Sequence, residues 1–218
     1  MEPNLADDRN FALVTVSNNT MKPIVTWLRK ELPQILLILL GVFAVRSSLA
    51  DHYYVPSGSM EYTLLAGDRV IVSKLAYGLR IPFTSVELMD GRSVDRGDIV
   101  IFDSPRDGTR LIKRIVGVGG DTITLTKGRL YVDGKPLASD TGVVEVFGEH
   151  IAALNLEDGG GPELVNSVVP DGMLLAIGDH RGRSMDGRYF GLIPESTVYG
   201  KALGIYRRKD EGFVWRPL

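Results

Sequence analysis

Residues 35–45 of this 218-residue chain read ILLILLGVFAV, eleven apolar residues without interruption. No other stretch restricts the possible folds as strongly, because so long an apolar run has few places where it can be kept from water. A complete bilayer span takes about 20 predominantly apolar residues, whereas runs of about 10–14 are common in buried core helices and in the centres of signal peptides. The run therefore reads either as a membrane anchor or as a core helix. As an anchor it extends to about Tyr53, with Arg46 snorkelling to an interface or facing protein. The flanks favour the anchor: Lys22, Arg29 and Lys30 precede the run beside Trp27, and Arg46 is the only lysine or arginine from there to Leu65. That three-to-one bias puts the N-terminus in the cytoplasm and the remaining chain across the membrane. A cleaved signal peptide fits less well, since the run starts late and behind mixed acidic and basic residues. The expected organisation is a cytosolic tail at 1–32, an anchor at 33–53 and a body at 54–218.

Beyond Asp51 the pattern changes to short runs rich in Val, Ile, Thr and Tyr, separated by Gly, Pro and Asp. Such runs predict strands at 69–73, 98–102, 111–116, 122–126, 129–132, 143–147, 173–177 and 198–206. The segment ITLTKGRLYV reads as a hairpin turning on Lys127 and Gly128. No stretch after Asp51 repeats apolar residues at helical spacing over three turns, and only 194–197 looks like a helix start. The expected fold class is mainly β: an N-terminal transmembrane helix, then an all-β body with a small inserted β subdomain at about 127–172.

Composition closes several routes to function. With 25 basic and 27 acidic residues the net charge is −2, so there is no basic excess to make nucleic acid the partner. The absence of cysteine excludes thiol catalysis, disulfides and cysteine-ligated zinc. His52, His150 and His180 form no pair at helical spacing and no HExxH, so no metal site is expected and each reads as a surface or hydrogen-bonded residue. The glycines of GVGGD, 117–121, lie between two strands with no helix to follow, and read as a turn. No GxSxG elbow supports the common Ser-His-Asp arrangement.

Two segments remain. Ser57 and Ser59 bracket Gly58 after Pro56, and a flexible backbone there lets main-chain N–H groups approach an oxyanion; the plain alternative is a polar turn capping a strand. Lys113 shares a strand face with Leu111 and Ile115, where desolvation disfavours the ammonium and yields a free amine near neutral pH; the plain alternative is an edge lysine reaching solvent. Taken together they suggest a serine nucleophile with a lysine base.

Four blocks in order, PSGSMEYTLLAGD (56–68), RGDIVIF (96–102), LIKRIVGVGGD (111–121) and GDHRGRSMDGRYFGLIP (178–194), are similar to those of bacterial type I signal peptidases, which are membrane-anchored Ser/Lys endopeptidases. The resemblance runs from the anchor to about Tyr206. It implies Ser59 as nucleophile, Lys113 as general base, Ser57 as an oxyanion-hole hydroxyl beside the Ser59 N–H, and Ser184 as the residue orienting the base. Asp179, Asp186 and Arg188 would support the site. Val55, Met60, Leu64, Ile101 and Ile112 would line shallow apolar pockets selecting small residues at −1 and −3. The implied partners are preprotein signal peptides and the lipid bilayer, with a single-pass location in the cytoplasmic membrane and the catalytic domain outside. Neither metal nor cofactor is implied.

Two departures stand out: Tyr62 where the pattern usually has proline, and GDHRGRS where it usually reads GDNRDNS, so that His180, Gly182 and Arg183 are changed. Losing the proline removes a restraint on the loop after Ser59. Other readings are a specialised Ser/Lys peptidase such as a pilin-transfer peptidase, a self-cleaving repressor, which the anchor opposes, and a catalytically silent membrane-anchored β module that binds partners.

Overall fold

The computed structural model describes residues 30–42, 50–80, 87–90, 92–139 and 142–218. The chain falls into two units that divide between Phe43 and Ala44. In the first unit the described residues form one helix, α1, at 30–42. At about 1.5 Å per residue it is about 20 Å long, against about 30 Å of bilayer hydrocarbon. Among the described residues no helix is long and apolar enough to cross a membrane. The expected tail up to residue 29 and the expected anchor at 43–49, Arg46 included, lie outside the described residues.

The far end of the expected anchor is corrected. Ala50–Tyr54 form strand β1, antiparallel to β2 (Arg69–Ser73), with Asp51 opposite Val72 and Tyr53 opposite Val70. The polar and aromatic residues there suit a half-buried strand: Tyr53 packs on an apolar cluster while Tyr54 faces solvent. A small ribbon follows, β3 (Gly78–Arg80) and β4 (Glu87–Asp90). The body continues with β5 (Ile99–Asp103), β6 (Arg110–Gly117), β7 (Thr122–Thr126), β8 (Arg129–Val132), β9 (Lys135–Pro136), β10 (Val144–Phe147), β11 (His150–Ala153), β12 (Leu164–Val168) and β13 (Met173–Ile177). A one-turn helix α2 (Gly187–Phe190), β14 (Ile193–Pro194), β15 (Val198–Arg208) and β16 (Gly212–Pro217) complete it. Every strand that alternation predicts is present. The helix-like start at 194–197 is a single 3-10 turn, Glu195–Thr197.

The main sheet is antiparallel in the order β1-β2-β15-β5-β6-β13-β14, with β16 on β15. Its central strands β5 and β6 are covered on both faces. Ile99, Ile101 and Ile112 join Val55, Met60, Leu64, Val70 and Val72 on one side. Val100, Phe102 and Ile115 join Leu174, Ile193 and Val198 on the other. A second sheet, β12-β7-β8-β9, starts at Thr122, a little before the expected insertion, and β10 and β11 pair separately. The β7–β8 hairpin turns on Lys127 and Gly128 with φ of 50° and 76°, the positive pair a tight hairpin needs. The core of this part contains Val116, Leu175 and Ile177 from the main sheet, so the inserted strands share packing with their host.

A buried ion pair fastens the turn after β13 to β10. Arg181 Nη2 lies 2.6 Å from Glu145 Oε2, both side chains fully buried, and Glu145 Oε1 accepts the Leu130 N–H at 2.9 Å. Removing one member strands the other charge away from water. Glu145→Ala is therefore expected to lower unfolding free energy by about 3–5 kcal/mol, measured by urea denaturation of the whole chain.

Candidate active site

Because β6 is buried on both faces from Ile112 onward, consecutive residues Lys113 and Arg114 are both buried, 3% and 2% exposed, and alternation sends them to opposite sides. Arg114 is satisfied as an ion pair. Its Nε and Nη2 donate to Asp179 Oδ1 and Oδ2 at 2.9 and 2.8 Å, and its Nη1 donates to the Gly97 carbonyl at 2.8 Å. Thr63 Oγ1 donates to the same Asp179 carboxylate at 2.5 Å. Lys113 is treated differently. It stands opposite Val100 of β5, and its amine lies 2.5 Å from Ser59 Oγ, with no carboxylate among the described residues in ion-pair contact. Burial lowers its pKa from 10.5 to about 8; the charges of Asp186 and Asp179 push it back up in part, and Arg188 lowers it further.

Strand departure explains how Ser59 reaches this amine. β13 pairs with β6 as far as Ile177 opposite Arg114, then the chain turns away at Gly178. The Gly58–Met60 turn fills the space beside Lys113 that β13 leaves, and the His180 N–H holds it by donating to the Ser59 carbonyl at 3.1 Å. Gly178 is the close-approach point: a Cβ there would overlap both the Ser59 carbonyl oxygen and Ser184 Oγ. Ser57 is exposed and extended, with its Oγ 3.4 Å from Ser59 Oγ.

Ser184, expected to orient the base, is buried beside Gly178, and among the described residues its hydroxyl makes no hydrogen bond to Lys113. Asp186 caps α2, and its carboxylate accepts from Gly178 N–H at 3.0 Å and from Arg188 Nε and Nη2 at 2.8 Å each. Burial alone would raise the pKa of this carboxyl; the Arg188 hydrogen bond and charge, with the Gly178 N–H and the nearby Ser184 hydroxyl, outweigh that and hold it below the usual range. Arg188 also donates from Nη1 to the Gly160 carbonyl at 2.8 Å. Val55, Met60, Leu64, Ile101 and Ile112 do come together in one apolar cluster, but each is at most 3% exposed, so they are packed core closed to solvent.

No sequence pattern marks the groups that tie the Gly58–Met60 turn down. The Thr63 and Leu64 N–H groups donate to the Met60 carbonyl at 3.1 and 2.7 Å, and Tyr62 Oη donates to Glu157 Oε1 at 2.6 Å. Tyr62 has φ of 78°, which a proline ring cannot adopt, so this turn is built differently from one with proline at that position. Arg114 was the one support with a visible signal, being an arginine inside the buried run LIKRIV. Among the described residues no group of three His, Cys, Asp or Glu converges to hold a metal ion.

A buried serine hydroxyl against an unpaired, desolvated lysine amine defines the class, a serine hydrolase of the Ser/Lys type. The sequence profile of the signal peptidase, peptidase S26 family matches residues 26–207, and the chain belongs to that family of serine endopeptidases. It is similar to a probable signal peptidase I-2 of Synechocystis, 32% identical over 200 residues covering 88% of this chain and 79% of the relative. It is also similar to the signal peptidase I of Pseudomonas aeruginosa, 32% identical over 195 residues covering 78% of this chain and 69% of that one.

Keeping Lys113 buried costs stability. The unfolded chain binds its proton up to pH 10.5 and the folded chain only up to about 8, so stability rises with pH between those values. The penalty at pH 7 is about 3 kcal/mol. Lys113→Met, of similar length and uncharged, is expected to raise stability at pH 7 by up to about 3 kcal/mol, a gain that vanishes toward pH 10.5. Denaturant melts of both proteins across that pH range check it.

Proposed function

We propose that this chain cleaves signal peptides from translocated preproteins after small residues at −3 and −1, with Ser59 as nucleophile and Lys113 as general base. The observation that carries the reading is the 2.5 Å approach of the two groups, with the amine buried and its pKa brought to about 8. The extended segment after the signal helix lies along the 55–60 stretch by strand addition. Neutral Lys113 takes the Ser59 hydroxyl proton as Oγ attacks the carbonyl carbon of the −1 residue. The oxyanion is held by the Ser59 N–H and the Ser57 hydroxyl, a kind of contact worth about 2.7–4 kcal/mol. Lys113 then gives the proton to the leaving amine, and water hydrolyses the acyl-enzyme ester in the second half of the reaction.

The apolar run at 35–45 and the basic residues before it support a single-pass anchor, with the N-terminus in the cytoplasm and the body on the outer side of the bacterial inner membrane. The bilayer would then confine enzyme and substrate to one plane, raising their effective concentration. The small −1 and −3 residues would seat against the cluster of Val55, Met60, Leu64, Ile101 and Ile112, whose side chains are closed to solvent without substrate.

The test is cleavage of a preprotein in detergent or lipid, with the product N-termini sequenced. Wild type is expected to cut after a small residue, and Ser59→Ala and Lys113→Ala to lose at least about 10²–10⁴-fold in rate. Because only the neutral amine accepts a proton, kcat/KM should rise with pH through about 8. Substrate that binds but is not cut by wild type would point instead to the silent binding module. Gly178→Ala, which drives a methyl into the Ser59 carbonyl and the Ser184 hydroxyl, is expected to cost about 10²-fold or more in kcat with the fold retained.

A further inference from the structure

Three of the residues that depart from the signal peptidase pattern, Tyr62, His180 and Gly182, face one neighbour, the loop at 154–161. Tyr62 Oη donates to Glu157. A Cβ on Gly182 would collide with the Asp158 main-chain carbonyl, so that loop lies directly on the glycine. The main chains also interlock: Asn155 N–H donates to the Asp179 carbonyl and Arg181 N–H to the Asn155 carbonyl, both at 3.0 Å. His180 sits at the junction. Its N–H holds the Ser59 carbonyl, its Nδ1 lies 3.0 Å from Glu61 Oε2, and its Nε2 lies 2.9 Å from Asp158 Oδ2.

Counting protons makes the cluster informative. A neutral imidazole carries one N–H, so only one of the two ring contacts would be a hydrogen bond, and the other would set a lone pair against a carboxylate oxygen. Both contacts are hydrogen bonds only when His180, Glu61 and Asp158 share two protons. The ring is 3% exposed, so water has little access to relieve a mismatch. The other charged groups nearby are committed elsewhere: Asp179 to Arg114, Arg181 to Glu145 and Glu157 to Tyr62. Arg183 is exposed.

We propose that His180 is a positioning residue: with its ring set between Glu61 and Asp158, it clamps the nucleophile turn to the 154–161 loop, with the Tyr62–Glu157 bond as the second fastening, and so fixes Ser59 over the Lys113 amine. The proposal rests on Ser59 being the nucleophile.

The experiment is the kcat and KM of preprotein cleavage in detergent by wild type, Glu61→Gln, His180→Asn, Tyr62→Phe and the double variant of the last two. His180→Asn should lower kcat about tenfold, with KM changed less than twofold. Glu61→Gln keeps a polar side chain in reach of the ring and should lower kcat severalfold, less than His180→Asn does. Tyr62→Phe should lower kcat severalfold, and its double variant with His180→Asn should lose less than the product of the two, since both loosen the same turn. Glu61 is partly exposed, so Glu61→Gln keeps the test open if His180→Asn fails to fold. An unchanged kcat in either His180→Asn or Glu61→Gln, or a double variant that loses the full product, would overturn the clamp. A wild type that cuts nothing would overturn the peptidase reading beneath it.

Discussion

A lysine amine buried in a sheet that is covered on both faces must either find a counter-ion or give up its proton more readily, and the arrangement around β6 favours the second outcome, bringing the pKa from 10.5 to about 8. Two buried carboxylates, Asp179 and Asp186, lie near enough to raise the Lys113 pKa. Each is already engaged by an arginine of its own, Arg114 for Asp179 and Arg188 for Asp186. A free carboxylate would raise the Lys113 pKa further than one shared with an arginine. Such pairs add little net stability, since desolvation cancels much of the attraction. Their effect here is electrostatic isolation: two fixed, mutually neutralised pairs next to one amine whose hydrogen-bond partner among the described residues is a serine hydroxyl.

What was legible in the sequence follows from which forces are local. Alternation is local, so eight strands of the body could be read from it, though not the short β3, β4, β9, β11, β12 and β14, and Leu111 and Ile115 on its face made burial one of two readings of Lys113. β1 was hidden because the expected anchor carries the apolar run past Arg46, Ser47 and Ser48 to Tyr53, whereas pairing with β2 decides its state. β16 carries exposed Phe213 and Trp215, so its sequence holds no core-facing pattern to find. The site is less legible, because its bonds join residues far apart along the chain: Lys113 with Ser59 across 54 positions, Thr63 with Asp179 across 116, Glu61 with His180 across 119. No periodicity encodes such pairs. The ordered blocks named Ser59, Lys113, Asp179 and Asp186 through their resemblance to a family, but the 154–161 loop lies outside every block and its part in the site was invisible.

That loop changes the meaning of the second sheet. Arg181 fixes the chain beside the nucleophile to Glu145 of β10, and Arg188 reaches back to the Gly160 carbonyl. The segment from Gly178 to Arg188 is thus fastened to the main sheet by Arg114 and to the inserted strands by Arg181 and Arg188. A segment held from one side can rock about its attachment; held from two, this one keeps in place the His180 N–H that binds the Ser59 carbonyl.

Ser184 fits this scheme through its position: its hydroxyl is buried beside Gly178 and the Ser59 carbonyl and helps hold the Asp186 carboxylate ionised. On the proposed mechanism the need for an acceptor appears only later in the cycle. Once Lys113 has taken the Ser59 proton, its ammonium has three N–H donors, while Ser59 Oγ has become an ester oxygen and a poorer acceptor. On that mechanism the Ser184 oxygen would serve as a neutral acceptor, while the carboxylates remain with their arginines. A neutral partner steadies the ammonium without trapping it, so the proton can still pass to the leaving amine; a carboxylate in the same place would hold it too tightly for turnover.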